Sequence, residues 1–240
     1  MYASDPDERE RQVAKILAAW PTGEPGVIVG GYAVAAYAPP RYSVDVDIVT
    51  SHAFHPGWVE WLRSRGFAAG RVHRFSAETD SRPEVQQWQL GRVTLDLMTG
   101  GVRDRDSGVT IPVDWILRSP HNVRLELLSG KIERPLPVVR LEALWALKLV
   151  AGRPHDLSDL FATSAQPIHL SEIRDLLDRL MTKPLREKLA RVSRQLHEER
   201  LYVDSLSRLG RGSPNSKPNQ DSWNRFGEMV RRAMPQHTAD

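Results

Sequence analysis

At 240 residues the chain is long enough for one generous domain or two small ones, with volume to bury a real core. A hydrophobic fraction of 40% and a charged fraction of 26% exclude a disordered chain, and the absence of cysteine excludes both a disulfide framework and thiolate-bound zinc. The net charge of +3 is unevenly spread: residues 1–130 hold 14 Lys/Arg against 16 Asp/Glu, and residues 131–240 hold 19 against 14. A basic second half beside a carboxylate-bearing first half suits an enzyme acting on nucleic acid, and equally a solvated arginine-rich surface. The opening MYASDPDERERQ is too acidic and polar for a signal peptide. No apolar run approaches the ~20 residues of a membrane helix, so a cytoplasmic protein is expected.

In chain order, residues 5–20 read as an amphipathic helix capped by Asp5, with Pro6 in its first turn and Val13, Ile16, Leu17 and Trp20 as its apolar stripe. The stretch that follows, VIVGGYAVAAYAPPRYSVDVDIVT over residues 27–50, is the richest in the chain. Val27-Ile28-Val29 fits a buried strand. Gly30-Gly31 allows a sharp turn and close backbone approach to a ligand, since neither residue has a Cβ. Residues 32–38 favour a short helix ended by Pro39-Pro40, and its first amides would favour an anion such as phosphate. The pair of glycines could also be no more than a strand-to-helix turn. In the next strand, period two puts Val44, Val46 and Ile48 on one face and Asp45 and Asp47 on the other, ~7 Å apart. They are either the solvated face of an edge strand or ligands for a hard divalent ion such as Mg²⁺, which offsets their repulsion.

Residues 56–65 look helical, with Trp58, Val59, Trp61 and Leu62 inward and Gly66 as the stop. The two tryptophans read as core rather than as base-stacking platforms. Residues 71–75, 85–90 and 93–98 alternate as strands, the last two joined by a tight turn at Gly91-Arg92, and short strands continue at 110–111 and 123–127. In the 93–98 strand Val93, Leu95 and Leu97 share one face and Asp96 lies on the other. If that strand lies beside residues 44–49, the three aspartates Asp45, Asp47 and Asp96 converge, in a geometry fit for one or two Mg²⁺ ions.

The fold class expected is α+β: a mixed-sheet core with flanking helices over residues 1–130, then a helical domain over 131–210. A polar linker and an amphipathic helix follow over 211–240. The proline-containing stretch 131–137 marks the boundary. Helices are expected at 138–151, 157–163, 171–181 and from 184 to about 209. RGSPNSKPNQDS, residues 211–222, reads as an exposed linker. Trp223, Phe226, Val230 and Met234 recur at helical spacing, as a helix that either docks back on the body or meets a partner.

Gly30-Gly31, Arg41, Ser43 and the Asp45-x-Asp47 pair, followed by the lone strand aspartate Asp96, resemble the signature of the nucleotidyltransferase superfamily with the DNA polymerase β-like fold. Residues 141–160, LEALWALKLVAGRPHDLSDL, are similar to the helix and R-x-x-D-x-x-D segment of AbiEii-type toxin nucleotidyltransferases, a group that includes the MenT-type toxins. The resemblance covers roughly residues 27–160, interrupted in the middle. It implies that Asp45 and Asp47 bind metal (Mg²⁺, or Mn²⁺) and nucleotide, and that Lys148 and Asp156 complete the site. Asp96 or Asp156 would be a further metal ligand or the general base. Gly30, Gly31, Arg41, Ser43 and Lys148 would meet the nucleotide. Gly31 departs from the family pattern, where many members carry Ser, and Ser43 stands where they carry Thr.

The bare residues leave other roles open. Lys148 lies amid Leu147, Leu149 and Val150, where a lysine can simply snorkel to solvent. Asp156 and Asp159 suit a helix first turn, and Arg41 suits a surface position after a proline stop. The expected activity is NTP-dependent, Mg²⁺-assisted nucleotidyl transfer. By resemblance the acceptor is RNA, a tRNA 3′ end above all, and the protein is a toxin held by a cognate antitoxin. The alternatives are nucleotidylation of a small molecule such as an aminoglycoside, and a module that binds nucleotide or a partner without turnover.

Overall fold

The structure, a computed structural model, describes residues 6–75, 82–197, 205 and 220–235. The chain divides into two compact units. The first comprises Met1–Ala36, Pro40–Val102 and Ile111–Arg140, and the second comprises Tyr37–Pro39, Arg103–Thr110 and Leu141–Asp240.

The first unit is built on a seven-stranded mixed sheet. Its strands are β1 (Val27–Val29), β2 (Asp45–Thr50), β3 (Ala68–Arg74), β4 (Glu84–Leu90), β5 (Val93–Thr99), β8 (His121–Val123) and β11 (Leu136–Val138), in the order β3-β4-β5-β2-β1-β11-β8. Among the described residues, only β2–β5 and β1–β11 pair in parallel. Two ribbons lie outside the sheet: β6 (Gly101–Arg103) with β7 (Thr110–Pro112), and β9 (Glu126–Leu127) with β10 (Gly130–Lys131). Helices α1 (Pro6–Ala18), α2 (Gly30–Val34), α3 (His55–Ser64) and α4 (Val113–Ile116) complete the unit.

The alternation read from sequence is what buries the core. Val46, Ile48, Leu95 and Leu97 point to one face and are at most 1% exposed. Trp58 is fully buried, stacked edge-on against Trp20 and Trp61, with its indole N–H donating to the Pro25 carbonyl at 3.1 Å. Helix α1 carries Asp7 and Glu8 in its first turn and Lys15 in its last, as the helix dipole favours, and buries Val13, Ile16 and Leu17. The Asp5 cap lies outside the described residues.

The second unit is helical: α5 (Leu141–Ala151), α6 (Pro154–Thr163), α7 (Leu170–Arg179), α8 (Lys183–Gln195) and α9 (Gln220–Ala233). The closing helix docks within this unit. Trp223, Phe226, Val230 and Met234 are at most 5% exposed, and Phe226 stacks on Phe161 and Trp145. The fold is therefore α+β, a mixed sheet followed by a helical region, as the pattern implies.

Several boundaries differ from the expectation. Helix α2 stops at Val34, four residues early, because Ala35–Tyr37 form a turn ahead of the proline pair. The single strand expected at 123–127 is two, β8 and β9, which pair with different partners. The largest correction is at the proposed boundary: Leu136–Val138 is a sheet strand, and the helix begins at Leu141 rather than at residue 138. Its prolines read as breakers, yet the fixed φ of Pro137 suits extended backbone. The link to β1 uses the Val139 amide, which donates to the Ile28 carbonyl at 3.0 Å, so the missing N–H of Pro137 costs nothing there. The helix expected from 184 ends at Gln195. The rest of that stretch and most of the expected linker lie outside the described residues, except that Ser205 is helical and residues 220–222 begin α9. No helix among the described residues is long and apolar enough to cross a membrane.

Replacing Phe226 by Ala should remove the contact on which α9 is seated. A loss of about 3–5 kcal/mol is expected in urea unfolding followed by far-UV circular dichroism.

Candidate active site

The site begins with strand register. In the parallel pair β2–β5, Asp45 lies opposite Thr94 and Asp47 opposite Asp96. With Val46, Ile48, Leu95 and Leu97 facing the core, Asp45, Asp47 and Asp96 share the other face, Asp47 and Asp96 on adjacent strands ~4.8 Å apart, whereas Val44, expected on the core face, precedes β2 and is 66% exposed. On its other side β2 pairs with β1, where Asp47 lies opposite Val29, the residue before the glycine pair.

That register explains the glycines. Gly30 has φ +65°, a conformation that L side chains rarely adopt, and a Cβ built on it would overlap the Asp47 carboxylate. A Cβ on Gly31 would overlap the Ser43 side chain and stand 3.3 Å from Nη2 of Arg41. Gly30, Gly31, Arg41, Ser43 and Asp47 are thus brought together, around backbone with no side chain between it and them. Ser43 is 9% exposed, and its hydroxyl donates to the Asp45 carbonyl at 3.3 Å. Arg41 donates to the Tyr42 carbonyl at 2.9 Å.

Two supports were not read from the sequence. Arg9 of α1 donates to the Ser43 carbonyl at 2.9 Å, and the Tyr42 hydroxyl contacts Asp7. Both tie the 41–43 loop to the first helix, and amphipathic periodicity carries no signal for such a contact. Tyr42 and Val44 flank Ser43 as exposed apolar residues. Tyr32, buried behind the glycines, has its hydroxyl pushed up to about 12, first by burial and then by Glu10, so it stays protonated and is no base.

Lys148 and Asp156 belong to the second unit, where they bind each other. The Lys148 ammonium, 6% exposed on α5, donates to Asp156 Oδ1 at 2.8 Å and to Asp159 Oδ2 at 2.7 Å. Asp156 also accepts from Nε and the backbone N–H of Arg153, at 2.6 and 3.3 Å, which satisfies the N-cap amide of α6. The lysine does not snorkel outward, because two buried carboxylates three residues apart on α6 hold it inside. Burial pushes the Asp156 carboxyl up, but Lys148 and Arg153 outweigh it, and the group ends below its ordinary value of 3.8. So placed, Asp156 is a weak proton acceptor.

Among the described residues no group of three or more His, Cys, Asp or Glu side chains is arranged as a metal cage. The donor set of β2 and β5 still fits Mg²⁺, which is commonly held by one or two carboxylates and completes its shell with substrate phosphates and water.

Residues 16–240 match the protein family described as nucleotidyl transferase AbiEii toxin, type IV TA system. No curated protein matches the chain. Among solved structures, JHP933 from Helicobacter pylori is 18% identical, with 97% of this chain and 93% of that one covered and a TM-score of 0.45. ANT(2″)-Ia, solved in complex with adenylyl-2″-tobramycin, is 18% identical over 84% of this chain and 97% of that one, with a TM-score of 0.34.

Two outcomes are expected. Gly31→Ala should lower stability in urea unfolding, since its Cβ would overlap Ser43, and adding Ser43→Gly, which clears the overlapped atoms, should recover part of the loss. Asp156→Asn should destabilise the protein by about 3–5 kcal/mol at pH 7, since it leaves Lys148 half-paired. The Asp156 contribution is full above the ordinary carboxylate value and is lost as pH falls through the lowered folded value. The variant's stability should therefore fall less steeply than the wild type's below pH ~4, in urea titrations at successive pH values.

Proposed function

The chain belongs to the AbiEii family of nucleotidyltransferase toxins of type IV toxin–antitoxin systems, and on that basis we propose that it adds a nucleotide to the 3′ end of an RNA, tRNA above all. Family membership carries the coarser statement: an NTP-dependent transferase with a cognate antitoxin. The RNA acceptor, the metal and the residue roles are our reading. The observation that supports it best is the meeting of Asp47, Ser43 and Arg41 against two glycines whose lack of a Cβ makes room for them.

In the proposed reaction the triphosphate lies along Gly30 and Gly31, close to the backbone. Arg41 and Ser43 donate to its phosphate oxygens and hold the α-phosphorus toward the acceptor. The acceptor 3′ hydroxyl oxygen attacks that phosphorus. A new P–O bond forms, the bond to the bridging oxygen of the β-phosphate breaks, and pyrophosphate leaves with the electron pair. The hydroxyl proton passes to the carboxylate of Asp96, which lies in register with Asp47. Asp45 and Asp47 would hold Mg²⁺, or Mn²⁺, which when bound neutralises charge on the phosphates. Lys148 and Asp156 act in this reading as positioning residues that fix α5 to α6. For Lys148 to meet a phosphate it would have to release one of its two carboxylates.

Transfer to a small polycationic acceptor is the rival within enzymes. Such a substrate wants an acidic cleft, and the basic balance of residues 131–240 speaks against it. Incubation with each α-labelled nucleoside triphosphate, with and without bulk tRNA, separates label on RNA from label on a small molecule and from binding without transfer. Asp47→Ala should lower incorporation more than about 100-fold while the circular dichroism spectrum is unchanged. Retained incorporation in the folded variant would remove the metal-assisted scheme.

A further inference from the structure

Helix α8 presents two kinds of cation. Lys188 is 5% exposed and fully committed: its ammonium donates to Asp104 at 2.7 Å and to Asp106 at 3.2 Å, both on the 103–110 segment of the same unit. Lys183, Arg186, Arg191 and Arg194 are exposed, and none of them forms an ion pair or side-chain hydrogen bond among the described residues. At 100° per residue the four fall within about 140° of arc, opposite Leu185, Leu189 and Val192, which are buried. They run along about 17 Å of helix at 1.5 Å per residue. One acid, Glu187, lies among them.

Helix stability accounts for only part of this stripe: Arg194, in the last turn, suits the helix dipole, but the cations at the other end do not. The first turn of α8 contains no acid and carries Lys183 and Arg186, at the end where the helix dipole disfavours cations. Arg191 and Arg194, three apart, repel. Some exposed arginines elsewhere are neutralised by neighbours, as Arg11 is by Glu8, Arg74 by Glu84 and Arg231 by Glu228, and others, such as Arg63, Arg92, Arg118 and Arg179, stand singly rather than in a row of four.

We propose that the exposed face of α8 is a binding surface for the phosphate backbone of the RNA acceptor, with Lys183, Arg186, Arg191 and Arg194 each neutralising a phosphodiester. The proposal rests on the RNA-acceptor reading above and adds the surface that grips the chain. Charge complementarity selects the ligand: four open cations in a row match a polymer with one negative charge per nucleotide. No base is read by such contacts, so the surface supplies affinity and not sequence preference.

The test compares the wild type with the triple variant Arg186→Gln, Arg191→Gln, Arg194→Gln, chosen because glutamine keeps helix propensity. Fluorescein-labelled single-stranded RNA, bulk tRNA and polyglutamate serve as probes, titrated by anisotropy at several salt concentrations. The variant should bind both RNAs at least about 10-fold more weakly at low salt. Its slope of log K against log[salt] should be shallower by about 2, from roughly 0.7 per lost phosphate contact. Nucleotide binding and circular dichroism should match the wild type. Unchanged RNA affinity and slope in a wild type that binds and labels RNA would overturn the surface and leave the functional reading intact. A wild type that transfers label but never to RNA would remove that reading and the surface with it. Polyglutamate bound as tightly as RNA and lost in parallel would reassign the stripe to an acidic protein and overturn the proposal.

Discussion

The carboxylate of Asp47 occupies the volume in which a side chain on Gly30 would stand. Two registers make this so. Antiparallel pairing sets Val29 opposite Asp47, and the chain leaves β1 for α2 at the next residue. Parallel pairing on the other side sets Asp96 beside Asp47. A slip of one residue in either pair would turn the carboxylates into the face now filled by Val46, Ile48, Leu95 and Leu97, where burying them unpaired is prohibitive. Apolar burial on one side of the sheet therefore fixes the polar constellation on the other.

Much of this was legible because it is periodic. Alternation in residues 45–50 and 93–99 announces both the strands and the face on which Asp45, Asp47 and Asp96 stand, and the glycine pair announces its turn. The parallel pairing that joins β2 to β5 carries no such signal, since nothing local distinguishes which strands become neighbours. The contacts of Arg9 and Tyr42 with other elements were hidden for the same reason. Prolines misled at 135 and 137, where a strand was read as a boundary. Lys148 is a different case: its apolar neighbours leave open a side chain that escapes to solvent, and local sequence does not point to the carboxylates that bind it, eight and eleven positions later.

The second unit sorts its charges by burial. Lys148 and Lys188 lie inside, and each is held by two aspartates, since an unpaired interior ammonium would cost several kcal/mol. The aspartates that hold Lys148 sit on one helix and those that hold Lys188 on the segment 103–110, so these pairs specify which elements meet. The cations on the exposed face of α8 are under no such constraint. Water solvates them, and their lack of acid partners shapes the field of the surface rather than the packing beneath it.

Strand β11 has one more consequence. It contributes Val138 to the side of β1 that β2 leaves open, about 110 residues after Ile28. On the ribosome, the sheet bearing the three aspartates stays a partial layer with one flank bare until well over half of the polypeptide has emerged. Such distant pairing closes slowly and exposes sticky strand borders meanwhile. A chain of a toxin family thereby acquires an interval between synthesis and a closed sheet, written into the order of its strands.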